Sequence, residues 1–301
     1  MPEAPSYGYS DQQLVALPTA FRERLFDGQV VLVSGAGSGL GKAIAVLYAR
    51  LGARLAICGR DRDKLERSAD LLRTLGAETL VQPMTIREPE QVGSLIDSVF
   101  GRFGRLDVLV NNAGGQFAGP AIDFTPGGWQ AVIDTNLNGS WYMMQAAARR
   151  WVAAGAAGRI VNIVSTIWRG RPTTAHSCAA RAGVIYLSKS LAIEWAPHGI
   201  QVNCVAPGVV ETSGFEHYPP QGLATYYENA NLMKHPGDAQ DIAEACVYLS
   251  ASSGKFITGE VITVDGGQQL WGDPWPAGRP EYFGGTSRRD DATSSNPQET
   301  T

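Results

Sequence analysis

Residues 34–41 read Ser-Gly-Ala-Gly-Ser-Gly-Leu-Gly, and they directly follow the apolar run Gln29-Val-Val-Leu-Val33. The next segment, Lys42–Arg50, carries apolar side chains at helical spacing. Strand, glycine-rich turn and helix in this order are typical of a site for a dinucleotide pyrophosphate, because the glycines let the backbone approach the phosphates and the helix start presents free N–H groups. The spacing Gly35-x-x-x-Gly39-x-Gly41 differs from the commoner G-x-G-x-x-G, so it indicates one branch of nucleotide-binding enzymes.

Apolar runs typical of buried strands alternate along the chain with segments of helical periodicity. The predicted strands are Val30–Ser34, Arg54–Cys58, Thr79–Pro83, Val108–Val110, Ile160–Val164, Gln201–Val205 and Val261–Val264. The predicted helices span residues 40–51, 61–75, 88–103, 126–154, 177–197 and 238–251. This alternation predicts an α/β fold, a doubly wound parallel sheet of the Rossmann type with helices on both faces.

No linker rich in Pro, Gly or Ser interrupts the alternation, so residues 27–270 are predicted to form one domain. Residues 1–26 are expected to form an N-terminal arm whose segments Leu14–Leu17 and Phe21–Phe26 pack on the domain surface. Residues 271–301 are a C-terminal extension. Its aromatic first part is expected to pack, and the polar stretch Thr286–Thr301 is expected to be disordered.

Composition excludes several classes of function. The 301 residues carry a net charge of -4, which gives no bulk attraction to nucleic acid or to an anionic membrane. No uninterrupted apolar stretch is long enough for a membrane span, and the N-terminus lacks a signal-peptide pattern. The 4 cysteines form no C-x-x-C pair, so we expect reduced thiols, a cytoplasmic location and no metal site.

Further motifs follow the glycine turn in a fixed order. They are Asn111-Asn-Ala-Gly114, Asn136 within Asp-Thr-Asn-Leu-Asn-Gly, Ile160-Val-Asn-Ile-Val-Ser165, Pro207-Gly-x-x-x-Thr212, Thr258-Gly259 and Val264-Asp-Gly-Gly267. In this order and at these spacings the set resembles the short-chain dehydrogenase/reductase family over residues 28–268. Six motifs in register carry the resemblance, although any one of them alone could be an ordinary turn.

The resemblance implies a nicotinamide dinucleotide site and gives roles to its residues. Gly35, Ser38, Gly39 and Leu40 would lie around the pyrophosphate with Gly41 closing the turn, Asn111, Ala113 and Gly114 would line the adenosine ribose side, and Pro207, Val210 and Thr212 would hold the nicotinamide. The family commonly forms tetramers through helices that correspond to residues 126–154 and 177–197. Both segments carry apolar residues on more than one face, so a homotetramer is expected.

The end of the second predicted strand indicates which dinucleotide is bound. An acidic residue there usually accepts a hydrogen bond from the ribose 2′-hydroxyl of NAD. Here the strand ends Ile57-Cys-Gly-Arg60, and a guanidinium at this position can bind a 2′-phosphate. Arg60 therefore favours NADP(H), with a solvated arginine at the start of a charged helix as the alternative.

The chain departs from the family at the residues that most members use for acid catalysis. Most members carry a tyrosine and, four residues later, a lysine on the helix after the serine strand, whereas here these positions hold Ser177 and Arg181. At about 100° per residue, Ser177 and Arg181 lie about 40° apart on one helical face, while Tyr186 is about 180° from Ser177. Tyr186 is therefore expected to face away from the site, in a helix–helix or subunit contact.

Four further polar groups remain candidates for the chemistry. Arg181 can hydrogen-bond the nicotinamide ribose but cannot give up its proton at neutral pH. Ser165 keeps the family serine position, and Asn136 keeps that of the family asparagine, which holds a bulge and a water. His176 either supplies a proton or caps the start of its helix, and the sequence leaves these two roles open.

These departures are shared by a branch that acts on acyl-CoA thioesters. Asn111-Asn-Ala-Gly-Gly-Gln-Phe117, the run His176–Val184 and the block Asn203–Val209 resemble the peroxisomal trans-2-enoyl-CoA reductases, with the 2,4-dienoyl-CoA reductases as near relatives. The first hypothesis is thus an NADPH-dependent enoyl-CoA reductase, with an apolar lid over the substrate in residues 213–238. The alternatives are a ketoreductase or alcohol dehydrogenase with an atypical site, and a non-catalytic NADP(H)-binding protein.

Overall fold

The apolar runs predicted as strands form one parallel sheet. In the computed structural model, which describes residues 7–212 and 229–270, the strands are β1 (Val30–Ser34), β2 (Arg54–Gly59), β3 (Thr79–Pro83), β4 (Val108–Asn111), β5 (Gly158–Ile163), β6 (Ile200–Pro207) and β7 (Val261–Val264). They lie in the order β3-β2-β1-β4-β5-β6-β7, and every neighbouring pair is parallel. The predicted doubly wound sheet is confirmed, and its strand order reverses between β1 and β4, where such folds bind ligands.

Helices cover both faces of this sheet. They are α1 (Asp11–Ala16), α2 (Gly39–Arg50), α3 (Arg62–Thr74), α4 (Pro89–Phe103), α5 (Pro126–Ile133), α6 (Gly139–Ala154), α7 (Ala175–Trp195) and α8 (Ala239–Ser250). Alternate residues of β1 serve the two cores: Val31 and Val33 pack with α2, α3 and α8, while Val30 and Leu32 pack with α4, α6 and α7. Central strands buried on both faces explain why the sequence shows continuous apolar runs there.

Two details of the helices were not predicted. The predicted helix over residues 126–154 is continuous, but it contains a wide π-helical turn, Asp134–Asn138, between α5 and α6. The short helix α1 has no counterpart in the prediction. It begins with a capping box in which Ser10 accepts a hydrogen bond from the Gln13 backbone and the Gln13 side chain accepts one from the Ser10 backbone.

Residues of the predicted N-terminal arm pack on the domain as expected, and more deeply than a surface contact. Leu14 is buried against α2, and Phe26 is fully buried with its ring edge-on to Tyr48, 4.9 Å between ring centroids. Leu17 and Phe21 are partly buried beside them. Residues 213–228 of the predicted lid and the extension 271–301 lie outside the described residues.

Among the described helices, none combines the length and the hydrophobicity that a membrane span requires.

Candidate active site

The carboxyl ends of β1 and β4 meet at the point where the strand order reverses, and Asn112 joins them. Its backbone N–H and that of Ala113 each donate to Ser34 Oγ at 3.0 Å. Its side-chain amide donates to the carbonyls of Ser34 at 3.0 Å and Gly35 at 3.3 Å. Asn112 thus fixes the glycine turn, a role that the sequence analysis missed, because Asn-Asn after a strand reads equally well as an ordinary turn.

Asn111 is predicted to line the adenosine ribose, but its side chain forms a hydrogen bond within the protein interior. The residue is 3% exposed, and its amide donates to Asn162 Oδ1 at 2.8 Å across the sheet. The same Asn162 donates to the Ser188 hydroxyl on α7 at 2.9 Å. The Asn111 side chain therefore links β4, β5 and α7, and its predicted role in cofactor binding stays a prediction.

Two glycines of the turn are needed for close packing. A Cβ added to Gly41 would lie 2.3 Å from both Asn112 Nδ2 and the Gly35 carbonyl oxygen, and one added to Gly35 would lie 2.9 Å from the Ala113 Cα. Gly39 differs, because within the described ranges a Cβ there would meet only Thr212, at 4.0 Å. The turn is thus tight toward the sheet and open toward Thr212.

The start of α2 presents backbone N–H groups. Ser38 is the N-cap residue, and its side chain makes no capping hydrogen bond to the first N–H groups of α2. Leu40 lies in this first helical turn and is half-buried. The predicted pyrophosphate residues therefore lie together at a helix start that can accept an anion.

Arg60 lies beside the glycine turn, directly after β2. A Cβ added to its neighbour Gly59 would be 3.9 Å from the Gly35 Cα. Within the described part of the chain the exposed Arg60 guanidinium makes no ion pair or hydrogen bond. The next carboxylate, on Asp61, accepts from the Lys64 backbone at 3.0 Å and so caps α3.

Arg181, Asn136 and Gly114 come together on the other side of the β4 end. Arg181 projects from α7 and donates to the Ile163 carbonyl at the end of β5. A Cβ added to Gly114 would lie 2.4 Å from Arg181 Nη2 and 2.6 Å from Asn136 Oδ1. Burial lowers the pKa of Arg181 to about 10, so the side chain is cationic at neutral pH.

Asn136 is fully buried, and both polar atoms of its side-chain amide form hydrogen bonds to the backbone. Its Oδ1 accepts from the Gly115 N–H at 3.1 Å, and its Nδ2 donates to the carbonyls of Gly115 at 2.7 Å and Val132 at 2.9 Å. The π-helical turn that contains Asn136 provides the extra width for these bonds. Asn136 is thus a positioning residue that ties the loop after β4 to the helix α5–α6.

His176 is buried in an aromatic pocket at the start of α7. Its ring stacks on Phe124 with 4.4 Å between centroids and meets the edge of Phe117 at 4.5 Å. Its Nδ1 accepts from the adjacent Ser177 N–H at 2.7 Å, within the first turn of a helix whose N-cap residue is Thr174, so capping by His176 stays a prediction. Nε2 is buried with no hydrogen-bond partner among the described residues, and a role as proton source stays a prediction.

The remaining predicted residues, on α7 and just after β5, differ in how exposed their side chains are. Ser177 is 5% exposed, whereas Tyr186 is 72% exposed with Lys189 Nζ 5.3 Å from its ring centroid. Tyr186 therefore faces away from Ser177, as the helical spacing predicts. Ser165 is half-buried two residues beyond the end of β5, and within the described ranges its hydroxyl makes no hydrogen bond.

The predicted nicotinamide loop begins where β6 ends, at Pro207. Thr166 holds this end, because its N–H and hydroxyl both donate to the Pro207 carbonyl, at 3.1 and 3.2 Å. Asp265 orders the turn directly after β7, because its carboxylate accepts from the backbone N–H groups of Gly267 at 2.9 Å and Gln269 at 2.7 Å. The Asp-Gly-Gly motif was the signal for Asp265, while nothing in the sequence marked Thr166.

Val210 and Thr212 lie at the end of this loop, next to the glycine turn. Val210 is buried and bridges Gly237, and the Thr212 side chain lies 4.0 Å from where a Cβ on Gly39 would be. Among the described residues, no group of three or more His, Cys, Asp or Glu could hold a metal ion. The predicted residues therefore follow the carboxyl ends of β1, β2, β4, β5 and β6 along the chain.

Fold and site together define a doubly wound α/β protein whose glycine-rich turn lies at the switch point of a parallel sheet. A family model described as enoyl-(acyl carrier protein) reductase matches residues 35–269. The chain belongs to the short-chain dehydrogenase/reductase family and is an oxidoreductase of that family, which confirms the resemblance seen in its motifs.

Individual relatives agree with this family. The chain is 35% identical to a probable 2,4-dienoyl-CoA reductase of Bacillus subtilis over 82% of this chain and 98% of the relative. A citronellol catabolism dehydrogenase of Pseudomonas aeruginosa matches with a TM-score of 0.74 and 32% identity over 83% of this chain and 99% of that structure. A carveol dehydrogenase of Mycobacterium avium, solved with NAD, matches with a TM-score of 0.76 and 30% identity, over 81% and 98% of the two chains.

Proposed function

We propose that this protein is an NADPH-dependent reductase of the C=C bond of an enoyl-CoA thioester. One observation carries the proposal: Ser177 and Arg181 stand where most family members have tyrosine and lysine, and Arg181 is held against Asn136 and Gly114. A site without a phenolic acid suits a reaction that does not protonate a carbonyl oxygen at the moment of hydride transfer. The similarity to a 2,4-dienoyl-CoA reductase supports this substrate class.

The residues present fit a nicotinamide dinucleotide. The site offers a helix start whose N-cap residue makes no side-chain capping bond, glycines that leave no space for side chains toward the sheet, and an opening toward Thr212. In this proposal Ser38, Gly39 and Leu40 hold the pyrophosphate, and Pro207, Val210 and Thr212 hold the nicotinamide. The bound dinucleotide would supply a hydride.

The chain's own residues would then stabilise the negative charge that develops on the substrate. Hydride addition to the β-carbon of an enoyl thioester places negative charge on the thioester oxygen, and the α-carbon afterwards takes a proton, here assigned to water. The hydroxyls of Ser165 and Ser177 are the available donors to that oxygen. Arg181 would orient the ribose as a fixed cation, and Asn136 would hold the loop that forms the wall beside it.

Arg60 would select NADPH over NADH. Its guanidinium has no partner among the described residues, and Asp61, the nearest acidic neighbour in the chain, is engaged in capping α3. Hydrogen bonds to a charged group contribute about 1.5–3 kcal/mol, so Arg60→Ala should reduce the NADPH/NADH preference by about 10- to 100-fold. Arg67→Ala, on the exposed side of α3, is the matched control. An unchanged preference in Arg60→Ala would remove this assignment.

An alcohol dehydrogenase or ketoreductase is the second candidate, favoured by the dehydrogenase names of both structural neighbours. NADPH absorbance should be followed with crotonyl-CoA, a longer enoyl-CoA, a dienoyl-CoA and a ketone. Turnover of the thioesters supports the proposal, turnover of the ketone alone supports the second candidate, and NADPH binding without any turnover supports a non-catalytic protein. Arg181→Ala should abolish turnover, with Tyr186→Phe on the same helix as control.

The homotetramer and the cytoplasmic location stay predictions. The exposed face of α7 supports the first, because Tyr186 and Ile193 are 72% and 79% exposed there. Light scattering of the purified protein tests it directly, and a monomer at micromolar concentration would contradict it.

A further inference from the structure

Residues 7–17 belong to the predicted N-terminal arm and contact the glycine turn. From here on, 'the arm' means these residues only. The Gly8 N–H donates to Glu211 Oε1 at 3.0 Å, and the Tyr9 hydroxyl donates to Asp238 Oδ2 at 2.7 Å. Asp11 forms an ion pair with Lys42, the residue after the last glycine of the turn. The first five described residues of the arm thus contact three segments that are far apart in sequence.

Each of these three segments belongs to the proposed cofactor site or adjoins it. Glu211 immediately precedes Thr212, and Lys42 lies in the second turn of α2. Asp238 caps α8 by accepting from two of its backbone N–H groups, and it follows Gly237, which bridges Val210. Through these contacts the arm links the glycine turn to the predicted nicotinamide loop.

The Tyr9 contact is a specific hydrogen bond. Together with burial, the hydrogen bond to the Asp238 carboxylate raises the pKa of Tyr9 to about 12, and the hydrogen bond is the largest cause. The hydroxyl therefore remains a donor throughout the working range of an enzyme. Removing it would leave Asp238 with only its capping bonds.

A pocket of about 190 Å³ lies between the arm and the turn. Its lining joins Tyr9, Asp11 and Leu14 of the arm to Ser38, Gly39 and Thr212, which are predicted to hold the dinucleotide. The arm therefore forms one wall of the space beside the proposed pyrophosphate position.

The C-terminal end of the arm is held by separate contacts with α2. Arg50, at the end of α2, donates to the Leu14 carbonyl at 3.2 Å and also to the Leu17 carbonyl. Leu14 itself is buried in the core beside α2. Because both ends are attached, the arm can transmit a constraint from α2 to residues 208–212.

We propose that the arm is a brace that holds the nicotinamide loop against the glycine turn, with Tyr9, Asp11 and Glu211 as positioning residues for the dinucleotide. The inference rests on the proposed function, since it takes residues 35–41 and 207–212 as the cofactor site. Without the brace, the loop would have to be ordered by the cofactor itself, and binding would weaken accordingly.

Direct binding tests the brace. NADPH and NADH are titrated separately into the full chain, Tyr9→Phe, and a variant lacking residues 1–10, with nucleotide fluorescence as readout. We expect Kd for the preferred dinucleotide to rise about 3- to 10-fold in Tyr9→Phe and about 10-fold or more in the deletion. In turnover assays KM for the dinucleotide should rise while KM for the acyl substrate stays constant.

Tyr248→Phe is the matched control, because Tyr248 lies on α8 and its hydroxyl makes no hydrogen bond to any residue of the described ranges. Unchanged Kd in Tyr9→Phe, at a melting temperature equal to that of Tyr248→Phe, would overturn the brace alone, whether or not the deletion variant folds. A full chain that binds neither dinucleotide would overturn the proposed function and the brace with it.

Discussion

Replacing Gly114 with alanine tests the junction on which the proposed site depends. The added methyl would lie 2.4 Å from Arg181 Nη2 and 2.6 Å from Asn136 Oδ1, well inside van der Waals contact. Neither neighbour can move at low cost, because Arg181 is bonded to the Ile163 carbonyl and Asn136 makes three hydrogen bonds to the backbone. The backbone at residue 114 must therefore shift outward.

The shift has two costs. Overpacking a filled site costs about 1–3 kcal/mol, and lengthening one Asn136–Gly115 hydrogen bond costs about 0.5–1.5 kcal/mol. We expect the free energy of unfolding to fall by about 2–4 kcal/mol. In a domain of this size that corresponds to a melting temperature lower by about 5–15 °C. Because the backbone beside Arg181 shifts, the wall of the proposed ribose position changes, and affinity for NADPH should fall in the same variant.

The neighbouring glycine provides the control. A Cβ on Gly115 would meet no described residue within 4 Å, and Asn136 bonds to the backbone atoms of Gly115, so Gly115→Ala should stay within about 0.5 kcal/mol of the parent. Melting followed by circular dichroism and NADPH titration compare the two variants. Equal melting temperatures and equal affinities for Gly114→Ala and Gly115→Ala would refute the reasoning.

Two further predictions concern the interior. Gly158→Ala would place a methyl 2.3 Å from the Trp151 ring, which is buried with its Nε1–H donating to Leu106, so urea unfolding should show a loss of about 2–3 kcal/mol, and an unchanged midpoint would contradict it. Burial raises the pKa of Cys58 to about 12 and of Cys204 to about 11, and that of Cys246 is raised as well. A thiol reagent at pH 8 should therefore label only the half-buried Cys178 in the native protein, and Cys178→Ser should remove the signal.

The sheet could be predicted because its information is local. The central strand β1 occurs at the predicted residues, since a strand buried on both faces shows a continuous apolar run. Strand ends were less exact: β5 starts two residues before the predicted Ile160, and β6 continues to Pro207. Such ends depend on hydrogen bonding to a neighbouring strand, which no local pattern records.

The positions of Ser177 and Tyr186 could also be predicted, because both lie on one helix whose geometry is regular. The roles of Asn112 and Thr166 could not, because each acts through a backbone carbonyl brought near by another strand. The contact of Tyr9 with Asp238 joins residues 229 positions apart, and no periodicity connects them. Long-range polar contacts of this kind become visible only when the fold is known.

The position of the arm has a practical consequence for producing this protein. Gly8 hydrogen-bonds to Glu211 and Asp11 pairs with Lys42, both beside the pocket at the glycine turn. A recombinant version shortened into residues 7–11 would lose these contacts at the place where a nucleotide is proposed to enter. Material intended for affinity measurements should therefore retain residues 7–11.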